Sequence, residues 1–375
     1  MRKFFFSEPP RQPWAEVPSA IVAIPVKDEA ERLPACLNAL DRQTDSQGRL
    51  LRRGAFGVVV FANNCRDRSA ETARKAAAEL RFPIRVYETQ LPPELAHAGG
   101  ARRAAMDLAE GWLAETSASD GVILTTDADS TAAPDWIAAN LDAFAAGADA
   151  VLGRISLDEE GARLPPMLHA RGKLEAVYED LLAEMSARLD PQEGNPWPHH
   201  STISGATLAV TRRAYLSVGG LPRVPLGEDK ALIAALRRRD ARIRFAPDVA
   251  VVTSGRTAGR APGGVADTLR LRSAAPDALC DEALEPCTAA YRRALWRGRL
   301  RRAWVGGASF GEAWAQIEAT DPRLARRALA PAELPRQIEL ATHALRRLHA
   351  RLAALEDVES VSGAALSFND LDEIS

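Results

Sequence analysis

The chain has 375 residues and a mass of 40.4 kDa, with 48 Lys+Arg against 50 Asp+Glu, a formal net charge of −2 at pH 7 and a pI of about 6.4. That balance excludes a nucleic-acid binder that works through bulk positive charge. With 46% hydrophobic and 26% charged residues, it is globular material, long enough for one large α/β domain and an appendage.

At the start, Phe4-Phe5-Phe6 is followed at once by Ser7-Glu8-Pro9-Pro10, not by the apolar core of a signal peptide, and residues 1–18 read as a loosely docked leader. Wholly apolar runs such as Val58 to Ala62 fall far short of the roughly 20 residues of a membrane span. Order begins with the strand Ala20 to Ile24, ended by Pro25, and a helix with Leu33, Cys36, Leu37 and Leu40 on one stripe. The cycle repeats: strand Phe56 to Phe61, helix Ser69 to Leu80, strand Ile84 to Tyr87, helix Gly100 to Ala114, strand Gly121 to Thr125, helix Pro134 to Ala145. This rhythm predicts a mostly parallel sheet with helices on both faces, whose ligands sit beyond the carboxyl ends of the strands. A fifth strand, Asp149 to Leu157, precedes a helix over 170–189 and the Pro-rich segment 191–200. Then come a strand at Ile203 to Val210, helices at Arg212 to Val218 and Glu228 to Arg238, and strand material at Arg242 to Val252 broken by Pro247. From 271 helical signals dominate, notably 288–304 and 332–355, and the acidic, Ser-rich stretch 356–375 reads as disordered. The four cysteines (36, 65, 280, 287) lack CxxC spacing and disulfide density, which points to reduced thiols in a cytoplasm.

The sharpest chemical feature is Thr125-Thr126-Asp127-Ala128-Asp129-Ser130 at the end of the fourth strand. In extended backbone, residues i and i+2 point the same way, so Asp127 and Asp129 present two carboxylates together. Paired hard oxygen ligands suit Mg²⁺ or Mn²⁺ carrying a diphosphate; the same pair is also ordinary turn chemistry before the helix at Pro134. Gly227-Glu228-Asp229 opens a helix in which Leu232, Ile233 and Leu236 set the apolar stripe, which places Asp229 inward at the helix N-terminus. It is a candidate general base, or else a capping acid.

Together with Ile24-Pro25-Val26-Lys27-Asp28-Glu29, these pieces resemble a GT-A fold glycosyltransferase of family 2. The order of motifs matches over about residues 19–255: Ile24 to Glu29, then Ala62-Asn63-Asn64-Cys65-Arg66-Asp67, then Asp127-Ala128-Asp129, then Ser204-Gly205-Ala206 with Gly219-Gly220, then Gly227-Glu228-Asp229. The resemblance implies a Rossmann-like, mostly parallel mixed sheet flanked by helices, with a C-terminal helical extension, and domains at 19–270 and 271–355. It implies that Pro25, Lys27 and Glu29 line the base and ribose of a nucleotide-sugar, with UDP or GDP as the expected nucleotide. Asn63 stands where relatives carry an Asp on the base, Asp67 matches the later acid of that loop, and Arg103 falls near the family's basic residue beside the nucleotide. Asp127 would contact ribose or metal, Asp129 the metal directly, and Asp229, with Glu228 beside it, would deprotonate the acceptor hydroxyl for inverting transfer.

One departure is the absence of the His that many relatives carry after the last strand. Here the Gly-rich run 252–264 carries Arg256 and Arg260, which are suited to neutralise a departing diphosphate. Trp197, His199 and His200 stand where the acceptor side begins and are candidates for an acceptor wall, the histidines also for a missing metal ligand or for surface polar filler. In the tail, Leu295, Trp296, Leu300 and Trp304 fit a stripe packed on the main domain, with peripheral contact to anionic lipid as the alternative; helix 332–355 is a candidate either to close over the acceptor or to pair between subunits as a homodimer surface. The reading is therefore a cytoplasmic, metal-dependent glycosyltransferase without a transmembrane anchor, acting on a small-molecule or lipid or glycan-precursor acceptor. A sugar-phosphate nucleotidyltransferase lacks its Gly-rich loop after the first strand, an NAD(P) oxidoreductase lacks GxGxxG there, and a non-catalytic binding protein of the same fold would not need all three aspartates.

Overall fold

The computed structural model describes residues 18–115, 121–259 and 264–362. In chain order the elements are β1 (Ala20–Val26), α1 (Leu33–Asp41), β2 (Gly57–Asn63), α2 (Ser69–Ala76), β3 (Ile84–Thr89), α3 (Ala98–Ala114), β4 (Val122–Thr125), β5 (Ser130–Ala132), α4 (Trp136–Ala145) and β6 (Ala150–Leu157). There follow α5 (Glu159–Ala162), α6 (Pro166–Leu189), β7 (Leu208–Thr211), α7 (Arg212–Ser217), α8 (Glu228–Arg238), β8 (Ile243–Thr253), α9 (Val265–Ala274), α10 (Cys287–Ala303), α11 (Phe310–Thr320) and α12 (Leu334–Ser362). The eight strands form one sheet in the order β3-β2-β1-β4-β7-β6-β8-β5. Strands β1 to β4, β6 and β8 share one direction, and β7 and β5 run against them.

The apolar runs are continuous because both faces of the sheet are covered. Val22, Ile24, Val58 and Val60 pack with α1, α2 and α4, while Ile21, Ala23, Val59 and Phe61 pack with α3, α7 and α8. The four α1 residues expected on one stripe are the four that it buries. Pro25 sits in a central strand at no cost to the ladder. Ala23 turns its carbonyl to the β4 side, where it accepts Thr126 N at 3.3 Å, so Pro25, two residues on, has its missing N–H on that side, past the last β1–β4 pair. Pro247 does not break β8; it falls where the β6–β8 register shifts between Leu152 and Arg154, a bulge that needs no N–H from it.

The structure therefore has the mixed α/β architecture with a C-terminal helical part that the resemblance implied, with three differences. The short β5 was not legible in the sequence, because three residues, Ser-Thr-Ala, carry no apolar period. Segment 203–207 is not strand: Gly205–Thr207 form a 3-10 turn that leads into β7. Helix α12 continues to Ser362, beyond its expected end at 355 and into the stretch read as disordered; residues 1–17 of the leader and 363–375 of the tail lie outside the described residues.

Helices α6, α10 and α12 build a second core around Tyr178, Met185, Cys287, Leu334, Ala341 and Leu345. The Trp296, Leu300 and Trp304 stripe packs against Phe310 and Trp314 of α11, so it serves packing inside the chain rather than a lipid surface. The apolar stripe of α12 through Leu334, Ala341, Leu345 and Leu348 is likewise buried within the chain. Among the described residues, no helix is long and apolar enough to cross a membrane.

Candidate active site

The turns leaving the six co-directional strands open on one edge of the sheet, and β7, running the other way, brings its entry at Ser204–Thr207 to the same edge. Asp127 and Asp129 lie in the crossing from β4 to β5, whose first residue pairs with Thr253 at the end of β8. Ser130 Oγ also donates to Thr253 Oγ1 at 2.9 Å. This crossover delivers Asp129 to Arg256, three residues past Thr253. The Arg256 guanidinium lies 3.0 Å from Asp129 Oδ2 and grips both carboxylate oxygens of the buried Glu29, one of them at 2.9 Å. The backbone before it is pinned, because Gly255 N donates to Asp158 Oδ1 at 3.0 Å.

On the other side of Asp127 stands Arg102 of α3, 6% exposed. It donates through Nη2 to Asp127 Oδ1 at 2.7 Å, through Nη1 to Thr125 Oγ1 at 3.0 Å and Gly205 O at 2.8 Å, and through Nε to Glu228 Oε1 at 3.0 Å. Glu228, not Asp229, is the buried acid of α8, on the face of Leu232 and Leu236. Asp229 is half-buried at the helix start, its Oδ2 accepting Gly205 N at 2.9 Å and its Oδ1 accepting Lys230 N at 2.7 Å.

Beside these acids a cleft of about 430 Å³ is lined by Lys27, Asp28, Asn64, Cys65, Arg66 and Gln90, at the ends of β1, β2 and β3. Lys27 lines this cleft, and Pro25 and Glu29 flank it in the chain. Asn63 is 2% exposed at the end of β2; its neighbour Asn64, in the left-handed region at φ 51°, lines the cleft and holds Leu91 by two backbone bonds of 3.0 Å each. Asp67 accepts Ala30 N and Ser69 N at 2.9 Å each, joining the loop after β1 to α2. Asp28, Cys65 and Asp67 converge there, yet Asp28 Oδ1 accepts Arg66 N at 2.6 Å and the Cys65 thiol faces Val26 O at 3.5 Å, so these groups brace the loop.

Five carboxylates, of Glu29, Asp127, Asp129, Glu228 and Asp229, are joined through two guanidiniums and the Gly205 peptide. The surplus of negative charge shows at Asp129, which burial and the Asp127 carboxylate push up to about 6 although Arg256 opposes them. Burial likewise raises Asp229, against the pull of the Lys230 N–H. Hard oxygen donors short of positive charge are the donor set a Mg²⁺ or Mn²⁺ ion takes, and Asp127 and Asp129 fit it.

Other expected residues go elsewhere. Arg103 donates to the carbonyls of Leu221 and, at 3.1 Å, Gly219, and pairs with Asp107; it staples the Gly219-Gly220 turn, while its neighbour Arg102 enters the site. The structure corrects the expectation for His200. It is 1% exposed, its Nε2 lies 3.2 Å from Leu152 O and its ring packs edge-on to Phe245 while Nδ1 is buried without a hydrogen-bond partner among the described residues, so it is a core histidine and neither surface filler nor open to an acceptor from solvent. His199 is 9% exposed with Nδ1 on His200 O, and Trp197, partly exposed, stands edge-on to it. Arg260 lies outside the described residues. Arg102 and Glu228 as partners could have been found only by knowing which helix face meets which.

The sequence profile described as glycosyl transferase family 2 matches residues 21–219. No curated protein matches the chain. Among solved structures, the chain is similar to the mannosyltransferase PcManGT from Pyrobaculum calidifontis in complex with GDP-Man and Mn²⁺, at 16% identity over 93% of this chain and 84% of that one, with a TM-score of 0.48. It is also similar to S. aureus TarS 1–349 in complex with UDP-GlcNAc, at 15% identity over 73% and 72% of the two chains and a TM-score of 0.44. A further likeness is to glucosyl-3-phosphoglycerate synthase from Mycobacterium tuberculosis with Mn²⁺, UDP and phosphoglyceric acid, at 15% identity over 77% and 79% and a TM-score of 0.39.

Proposed function

The chain belongs to glycosyl transferase family 2, and from that membership we propose that this glycosyltransferase moves a sugar from a UDP- or GDP-sugar to an acceptor hydroxyl, with a divalent metal and with inversion. The observation that carries the reading is the convergence of four acids on one sheet edge: Asp127, Glu228 and Asp229 are joined through Arg102 and Gly205, and Asp129 is held by Arg256. The cleft at Lys27, Asn64 and Gln90 takes the base and ribose. Asp127 and Asp129 hold Mg²⁺ or Mn²⁺, which when bound neutralises the diphosphate. Arg256, parked on Glu29 and Asp129 in this structure, is within reach of the same phosphates, for which a guanidinium is a bidentate partner.

Asp229 accepts the proton of the acceptor hydroxyl as its oxygen attacks the anomeric carbon from the face opposite the leaving diphosphate. Its carboxylate is made more basic by burial and kept in place by the Gly205 N–H. Trp197, partly exposed on a loop clamped by Arg244 through Pro196 O at 2.6 Å, serves as an acceptor wall. The test is thermal shift with UDP, GDP, CDP and dTDP, each with Mn²⁺: one nucleotide should raise the melting temperature of the wild type and leave Asp129→Ala unmoved. No shift with any of them, or an equal shift in Asp129→Ala, would overturn the metal-dependent reading.

A further inference from the structure

We propose that Arg102 is a positioning residue that sets the separation between the donor half of the site, at Asp127, and the acceptor half, at the start of α8; the inference rests on the transfer reading above. Four of the five N–H groups of its guanidinium are used, and they reach four chain segments: β4 at Thr125, the crossing at Asp127, the turn before β7 at Gly205, and α8 at Glu228. A planar fork with every arm tied fixes angles as well as distances, which a single ammonium would not do.

The second observation is at Gly205. A Cβ there would lie 2.5 Å from Nε and Cζ of Arg102, so the peptide can approach the guanidinium only because residue 205 is glycine. The same residue serves both sides: the Gly205 carbonyl accepts from Arg102 and the Gly205 N–H donates to Asp229 Oδ2. The position of Asp229 is therefore tied to Asp127 through one guanidinium and the two peptide groups that meet at the Gly205 Cα. The third observation is at Gly99, one turn before Arg102. A Cβ there would meet Val224 O at 2.3 Å and Glu228 Cβ at 3.3 Å, so α3 and the approach to α8 touch without an intervening side chain. The guanidinium is committed to Asp127, Thr125, Glu228 and Gly205, and it is through these that Arg102 acts.

Two roles make opposite forecasts. As a mere counter-charge, Arg102 competes with a cation at Asp127, and its removal would tighten Mn²⁺ binding. As a positioning residue, its removal lets Asp127 turn away and weakens binding. The experiment is Mn²⁺ titration followed by electron paramagnetic resonance, in the presence of the nucleoside diphosphate that stabilises the wild type, on Arg102→Lys, Arg102→Ala and Gly205→Ala, each checked for native circular dichroism. All three should lose Mn²⁺ affinity by about 10- to 100-fold, Lys failing to rescue, and non-denaturing guanidinium, but not methylammonium, should restore part of it to Arg102→Ala. Gly205→Ala keeps the guanidinium and displaces it, so it tests placement apart from charge. Wild-type or tighter Mn²⁺ binding in the folded variants overturns the positioning role while leaving the transfer reading standing; absence of Mn²⁺ binding by the wild type overturns the transfer reading and this inference with it.

Discussion

Asp229 combines two demands that usually conflict: burial makes its carboxylate a better proton acceptor, and two backbone N–H groups hold that carboxylate in one orientation. Asp229→Asn keeps the size and one acceptor for Gly205 N, so Mn²⁺ and nucleotide binding should persist while turnover falls by about 10²- to 10⁴-fold. Calorimetry and donor consumption measured on the same preparation check this, and a near-wild-type rate would remove Asp229 as the base. His200 acts at the same scale on stability. Burial, then the Arg154 charge, pushes it from 6.5 to about 4, so between those values only the unfolded chain takes up the proton. Folding stability should fall as pH drops through that window, by at most roughly 3 kcal/mol, and stay flat from this source above it. Urea unfolding of His200→Phe should show a shallower fall; an equally steep one would assign the slope to other groups. The acids were legible as candidates because Asp127, Asp129 and Asp229 follow or open an element; their aim was not, since Asp127 and Asp129 lie in the crossing between β4 and β5 and the phase of α8 buries Glu228 rather than Asp229. His200 was not, since a loop histidine carries no period that tells core from surface.

At the scale of elements, the crossing from β4 to β5 and the close contacts between helices decide the arrangement. Where α10 passes the end of α6, a Cβ on Gly298 would lie 2.1 Å from Leu189 O, so the two helices meet backbone to backbone. Just beyond, the buried Asp190 at the end of α6 is held by Arg297 and Arg301. Gly298→Ala must push these helices apart or bend one, and should lower stability by about 1–3 kcal/mol in urea titration while the sheet edge keeps its affinity for nucleotide with Mn²⁺. An unchanged midpoint would mean that the contact relaxes without cost. The helices α1 and α8 could be read from their apolar stripes, because each lies on a sheet face. The strand β5 could not, because it is held by pairing with β8 and the Ser130–Thr253 contact rather than by its own residues.

For the whole molecule, a net charge of −2 conceals a strong local separation: five carboxylates and two guanidiniums meet at the edge of the sheet, and other arginines pair on the helices, as with Arg293 between Glu285 and Glu318. The polarised edge is what a metal and a diphosphate need, and the paired helical charges account for the near-neutral total. What the sequence by itself determined is the alternation of buried strands and striped helices, the order of the motifs, and the carboxylates at the sheet edge, since each depends on residues within one or two turns of each other. What only the tertiary structure decided is the partner of each charge. Consecutive residues on a helix point about 100° apart, so whether Arg102 or Arg103 enters the site depends on how α3 is rotated against β4 and α8. The contacts that decide it, Arg102 to Glu228 and Arg256 to Glu29, join residues 126 and 227 positions apart, a distance over which no local period carries information.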